Sequence, residues 1–463
     1  MVLSRANAMH YKESPLSEKR PNIIVFFTDQ QRHDTTGVHG NPLGLTPNFD
    51  RLAAQGTHLF NTFTCQPVCG PARSCMQTGL YATRTGCFRN GIPLPSWSTP
   101  IAERFNDAGY NTAYIGKWHL AATKGEPVPE HLRGGYKYWL AADAIELITD
   151  AYYTVVYDND NKLKRLPGYR VDALTDAAIR YIDEQQNSDS PFFLYLSLLE
   201  PHQQNHRDQF VAPDGYEEQY TGRWLPPDLH VPEGSAARQI GGYYGMVKRI
   251  DEALGRLVDT LKSLGTLENT IILFTSDHGC HFKTRAKEYK RSCHESSIRV
   301  PTMMCGPGFN GGGRVEELVS LIDLPPTLLD AAGIDVPEDM DGRPVQQLLR
   351  REAHDWPDDV FIQISEAQVG RAIRTKRWKY SVSSTDKSGH DGSKSDSYEE
   401  EFLYDLESDP YEQFNLAGLD PFSGVAKELR ERLLARIKTV EGYEPEIVPA
   451  PSRPAGQRKP GID

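Results

Sequence analysis

Residues 69–79 read Cys69-Gly70-Pro71-Ala72-Arg73-Ser74-Cys75-Met76-Gln77-Thr78-Gly79. Pro71 suits a first helical turn, where its missing N–H is no loss, and Gly79 suits the far end. The stretch therefore predicts a helix with Cys69 at its mouth, beside unpaired backbone N–H groups and the positive end of the helix dipole. Arg73, four residues on, lies one turn along the same face and could pair bidentately with an anion held there. A nucleophile, an anion hole and a guanidinium within one turn suit attack on an anionic ester.

Outward from this helix the chain alternates strand and helix. Asn22 to Thr28 is a short apolar run of the kind that forms a buried parallel strand. A helix follows over Asn48 to Gln55, then a helix at 101–109 and a strand from Asn111 to Ile115. Residues 170–186 carry Leu174, Ala178 and Ile182 at helical spacing. Phe192 to Leu199 reads as a strand, 243–264 as a long amphipathic helix, and Thr270 to Thr275 as another strand. This rhythm predicts an α/β fold with a mostly parallel sheet covered by helices. After about residue 360 the pattern changes: 371–382 and 401–406 read as antiparallel strands separated by a polar, mobile loop at 383–397. A helix from Gly424 to Val440 closes this part. The expected division is a segment without order at 1–20, a catalytic domain at 21–360, a small α+β subdomain with an antiparallel sheet at 361–444, and an extended tail at 445–463. The proline-rich tail is a candidate arm for a second copy of the chain, and a homo-oligomer is one expected state.

Composition excludes several classes. A formal net charge of −12 argues against nucleic acid as a partner, so any attraction for an anionic substrate must be local. No apolar run approaches the roughly 18 residues that span a bilayer, so no membrane partner is expected. The polar start lacks a signal-peptide core, and the seven cysteines form no disulfide or zinc-ribbon pattern. The expected compartment is the cytoplasm. Cys65 and Cys69 are not spaced as a redox pair, and the glycine-rich stretch 306–313 lacks the Lys-Ser/Thr ending of a phosphate loop.

Polar groups gather where parallel strands should end, the place where open α/β sheets bind ligands. Asp29-Gln30 follows the first strand and Asp277-His278 follows the Thr270–Thr275 strand. Together with an atom of residue 69, these four could chelate one divalent cation. Asn90, in an Asn-Gly pair, is either a pocket residue or an ordinary turn. The polar run from Gln203 to Asp208 either hydrogen-bonds sugar hydroxyls at the pocket rim or is a solvated loop.

The 69–79 stretch resembles the signature of type I sulfatases, in which a cysteine, proline, arginine and a following Thr-Gly occur as Cys69, Pro71, Arg73, Thr78 and Gly79 do here, with Ala72 in the small-residue slot. The resemblance extends to Gly116-Lys117-Trp118-His119, Pro201-His202, and Lys290 with Glu295 and Arg299-Val300-Pro301. It also takes in Asp323 to Asp330 and Leu403-Tyr404-Asp405-Leu406, covering about Pro21 to Ala417. It implies an alkaline-phosphatase-like α/β/α sandwich and hydrolysis of a sulfate monoester of a small molecule or carbohydrate. It also implies oxidation of Cys69 to formylglycine by a formylglycine-generating enzyme, and a divalent metal held by Asp29, Gln30, residue 69, Asp277 and His278. Many members carry Asp-Asp and Asp-Asn where this chain has Asp29-Gln30 and Asp277-His278. Calcium is the first expectation, with magnesium as the alternative that oxygen ligands allow and manganese the one the imidazole admits. Roles implied by the resemblance are charge stabilisation by Arg73, Lys117 and Lys290, substrate binding by Asn90, Lys117, His202 and Lys290, protonation of the leaving alcohol by His202 with Lys290, and proton removal from residue 69 by His119. Phosphonate monoester and phosphodiester hydrolases of the same superfamily share the Asp-Gln and Asp-His pairs but not Gly-Lys-x-His. A non-catalytic anion-binding protein is the second alternative.

Overall fold

The computed structural model describes residues 19–231 and 233–454. Of the 1–20 segment only the last two residues are therefore described.

An eleven-stranded sheet forms the centre. Its strands are β1 (Asn22–Thr28), β2 (Thr57–Phe63), β3 (Asn111–Lys117), β4 (Tyr138–Ala142), β5 (Thr154–Tyr157), β6 (Leu163–Leu166), β7 (Phe192–Ser197), β8 (Thr270–Ser276), β9 (Arg299–Val300), β10 (Met303–Cys305) and β11 (Gly313–Ser320). They lie in the order β11-β2-β10-β8-β1-β7-β3-β4-β5-β6, with β9 on β2. The four central strands β8, β1, β7 and β3 are all parallel, whereas β10 enters antiparallel between β2 and β8. Alternate residues of β1 point to opposite faces, as strand geometry requires. Ile23, Val25 and Phe27 join the core beneath the Cys69 helix, and Ile24 and Phe26 join the core beneath the helices Arg170–Glu184 and Ala236–Ser263. Burying both faces of β1, as its continuous apolar run predicted, leaves helices on both sides of the sheet and gives the three-layer sandwich that the resemblance implied.

A second sheet runs β12 (Asp359–Ile364), β13 (Gly370–Thr375), β14 (Trp378–Ser383), β15 (Ser397–Asp405) and β16 (Glu446–Val448), with helix Ser423–Glu441 packed on it. The stretch 371–382 is thus two strands, not one. Thr375 Oγ1 accepts the Trp378 N–H at 2.9 Å and closes a tight turn between them. The loop after β14 is tied down by Arg371, which donates to the Ser393 carbonyl at 2.6 Å. The tail to residue 454 lies on its own subunit: β16 pairs parallel with β15, and Arg453 donates to the Ala417 and Asn415 carbonyls. Residues 455–463 lie outside the described part. No described helix is long and apolar enough to cross a membrane.

One close approach fixes the strand that carries Lys117. Gly116 takes a φ of +110°, and a Cβ there would sit 1.9 Å from the Ser197 carbonyl oxygen of β7. Neither the conformation nor the space tolerates a side chain. Gly116→Ala should therefore destabilise the protein by about 2–4 kcal/mol and displace Lys117. Urea unfolding of the variant measures this, and an unchanged midpoint would contradict the close packing.

Candidate active site

The helix Cys69–Thr78 begins where the signature predicted and ends at Gly79, whose φ is +70°. Its N-terminus points Cys69 at the carboxyl ends of β1 and β8. Those two strands are parallel neighbours with Thr28 opposite Ser276, so Asp29 and Asp277 emerge side by side. His278 follows on the same edge. Ligand atoms of Asp29, Cys69, Asp277 and His278 all lie within 4.8 Å of one another, and all four residues are buried.

The donor set fits a divalent cation. His278 Nδ1 is 2.9 Å from the Gly279 carbonyl, which can only accept, so Nδ1 carries the proton and Nε2 presents a lone pair. That lone pair faces Asp29 Oδ1 at 3.7 Å, Asp277 Oδ1 at 3.5 Å and Cys69 Sγ at 3.4 Å. Separations of this size follow from metal–ligand bonds of about 2.0–2.6 Å. Gln30, at φ +69°, spends its Nε2 on Gln203 Oε1, while its own Oε1 is buried without a hydrogen-bond partner. An unpaired buried oxygen is costly, and a cation would satisfy it. Burial and the neighbouring Asp29 charge push Asp277 up to about 7, the response of two carboxylates sharing a dry space. Asp29 itself stays well below the usual carboxylate range: burial and Cys69 act to raise it, but Lys117, His202 and Arg73 outweigh them. The Cys69 thiol is also held low, because Lys117, Lys290 and His278 overcome its desolvation.

Basic groups complete the ring. Lys117 Nζ lies 2.9 Å from Asp29 Oδ2 and 3.0 Å from Glu146 Oε1. Lys290 Nζ lies 2.8 Å from Cys69 Sγ and 3.3 Å from His202 Nε2. His202 Nδ1 donates to the Gln203 carbonyl at 2.7 Å, which leaves Nε2 as the acceptor facing Lys290. Burial, with Lys290 next to it, lowers the His202 pKa. His119 also helps to hold the Cys69 thiol low, and its Nδ1 stands 3.9 Å from Glu146 Oε1. Asn90 Oδ1 accepts the Gly70 N–H at 2.8 Å, so its carbonyl holds the helix mouth.

Arg73, expected to stabilise charge on the substrate, also contacts the strand-end carboxylates. Its NH2 donates to Asp29 at 2.9 Å and Asp277 at 3.3 Å, and its NH1 donates to Ser197 Oγ at 2.6 Å and the Lys117 carbonyl at 3.0 Å. The side chain passes behind the carboxylates over Phe27, because one turn of helix carries it beneath the strand ends. Arg73 therefore neutralises and orients the cation ligands. Sequence reading also missed Glu146, Ser197 and Glu366. Glu366, between β12 and β13, accepts from the Asn90 N–H at 2.5 Å and from Arg291 Nε at 2.5 Å, so the second sheet holds both the helix mouth and the Lys290 loop. Glu295, five residues after Lys290, pairs with Lys379 at 2.8 Å and Arg374 at 3.3 Å under the second sheet.

Residues 21–334 match the Sulfatase family, and residues 288–439 match the N-sulphoglucosamine sulphohydrolase C-terminal family. The chain belongs to the sulfatase family. It is 31% identical to an ulvan-active sulfatase of Formosa agariphila over 430 residues, covering 89% of this chain and 80% of that protein. It is 25% identical to an N-acetylglucosamine-6-O-sulfatase of Bacteroides thetaiotaomicron, covering 92% and 88%. A crystal structure of the putative sulfatase yidJ from Bacteroides fragilis superposes with a TM-score of 0.79 at 23% identity, covering 93% of this chain and 98% of that one. This sulfatase thus has the alkaline-phosphatase-like sandwich and hydrolyses sulfate esters.

The position of Arg73 has a kinetic consequence. In this sulfatase Arg73→Lys keeps one charge but loses the forked contact to Asp29 and Asp277. It should weaken divalent cation binding about 10–100-fold and lower kcat, with a smaller effect on KM for the sulfate ester. Calorimetric titration of cation and steady-state kinetics separate the two. A change confined to KM would return Arg73 to the substrate.

Proposed function

We propose that the enzyme hydrolyses carbohydrate sulfate esters through a formylglycine made from Cys69, on a divalent cation held by Asp29, Gln30, Asp277 and His278. The observation that carries this reading is the convergence of a helix-mouth thiol, two strand-end aspartates and two lysines in one buried cluster. A formylglycine would supply the attacking hydroxyl, and the cation would lower its pKa and offset charge on the sulfate. Cys69 Sγ marks the place from which that oxygen is presented.

The side chains divide the remaining work. Lys117 and Lys290 hold their ammonium groups toward the non-bridging sulfate oxygens as negative charge moves there. Lys290 Nζ lies within reach of His202 Nε2, so a proton can pass from Lys290 to Nε2 and on to the departing alcohol oxygen. His119, on the other side of residue 69, accepts the proton released when sulfate leaves, and Glu146 beside Nδ1 stabilises the imidazolium. Asn90, Glu366 and Arg291 keep the helix mouth and the Lys290 loop in register. Two carboxylates, a glutamine oxygen and residue 69 favour calcium, and His278 Nε2 leaves magnesium and manganese open. The carbohydrate part of the reading draws support from relatives named for ulvan and for N-acetylglucosamine-6-sulfate.

Peptide mass spectrometry over residue 69, after expression with a formylglycine-generating enzyme, should show a loss of about 18 Da. An unchanged mass in a fully active preparation would remove formylglycine from the mechanism. The wild-type enzyme should turn over a sulfate monoester faster than a phosphate diester or phosphonate monoester with the same leaving group, and the reverse order would favour the phosphonate hydrolase reading. His202→Ala should lose about 10²–10⁴-fold on esters of poor leaving alcohols and much less on nitrophenyl sulfates. Equal losses on both would rule out proton donation by His202.

A further inference from the structure

Next to the catalytic cluster the surface opens into a cleft of about 660 Å³. Glu146 lies in its wall, and the same carboxylate contacts Lys117 and approaches His119, so the cleft and the cluster share a residue. One side presents Leu147 and Tyr153, which are 58% and 43% exposed. The other presents Asn205 and His206, three and four residues beyond His202 in the chain. We propose that this cleft is the subsite for the pyranose ring of a glycan sulfate, with Tyr153 as its stacking face and Asn205, His206 and Asp150 as its hydroxyl partners. The inference rests on the carbohydrate reading above and gives it a location.

The chemistry of the lining selects this ligand. Tyr153 is fixed in place: its backbone exchanges two 3.0 Å hydrogen bonds with Asp150, and the Arg165 guanidinium lies 4.2 Å from its ring centroid. Arg165 covers one face of the ring, and the opposite face would take the C–H face of a sugar, as its area is apolar and its entropy cost is already met. Asp150 is fixed as well, by the Ala151 N–H at 2.7 Å, by Arg207, and with His206 3.7 Å away. A purely apolar ligand would strip water from Asp150, Asn205 and His206 without replacing their hydrogen bonds. A small inorganic anion would meet the carboxylates of Glu146 and Asp150. A ring with one apolar face and several hydroxyls satisfies the apolar and the polar residues of the lining at once.

Kinetics on two kinds of substrate test the assignment. Wild type, Tyr153→Ala, Tyr153→Phe and Asn205→Ala are compared on 4-nitrophenyl sulfate, which carries no sugar, and on N-acetylglucosamine-6-sulfate together with a panel of sulfated disaccharides. Tyr153→Ala and Asn205→Ala should each lower the ratio of kcat/KM for the best sulfated sugar to that for 4-nitrophenyl sulfate by roughly tenfold or more, mainly through KM. Tyr153→Phe should restore the ratio, since the ring suffices. Phe414→Ala, a control at an exposed residue of the small subdomain, should leave it unchanged. If wild type hydrolyses 4-nitrophenyl sulfate but no sulfated sugar, the carbohydrate reading falls and the subsite with it. If sulfated sugars are hydrolysed and Tyr153→Ala leaves the ratio intact, the cleft assignment alone is wrong.

Discussion

Asp29 and Asp277 are forced together by the parallel register of β1 and β8, and most of the site answers that juxtaposition. Two carboxylates in a water-poor space repel each other and lose hydration. Arg73 from the helix, Lys117 from β3 and the backbone N–H of Gln30 supply the compensating positive charge and hydrogen bonds. Each comes from a different part of the chain, so the sheet must be assembled before the site exists. The unpaired Gln30 oxygen, and a His278 Nε2 lone pair that here faces the Lys290 ammonium at 3.1 Å, are donors a divalent cation would take up.

The same logic ties the two sheets. Glu295, next to the Lys290 loop, is buried against Arg374 and Lys379 of the second sheet, and Lys379 also contacts Glu412. Glu366 reaches back from the β12–β13 connection to Asn90 and Arg291. Removing one partner from such a network leaves an uncompensated buried charge, which typically costs about 3–5 kcal/mol. The small subdomain is therefore part of the active site's support, although it contributes none of the cation ligands named here.

Much of this was legible in the sequence. Continuous apolar runs identify β1, β7 and β8, and chemistry-bearing pairs directly after them identify Asp29, Asp277 and His278, because parallel strands deliver ligands at their carboxyl ends. Pro71 and Gly79 mark the helix ends through backbone restrictions that act locally. What stayed hidden depends on long-range placement. Glu146 sits in a short turn after β4 with no periodic signal, Ser197 is one more residue of an apolar strand, and Glu366 lies 276 residues from the Asn90 it holds. Arg73 was located on the helix, but its contacts to Asp29 and Asp277 were not foreseen, since helical spacing fixes the face of a side chain and not what the sheet places beneath it. The strand at 371–382 read as one because the turn at Lys376-Arg377 contains neither glycine nor proline.

The central claim is that residue 69, the two aspartates, His278 and the lysines surround one cation and one tetrahedral anion. Diffraction from crystals of the enzyme grown with a divalent cation and sulfate, with anomalous data to locate the ion, tests it most directly. The account predicts a single ion bound by Asp29, Asp277 and His278 next to residue 69, with sulfate between that ion and Lys117 and Lys290. A cation bound elsewhere, or sulfate held by Arg73 away from residue 69, would contradict it.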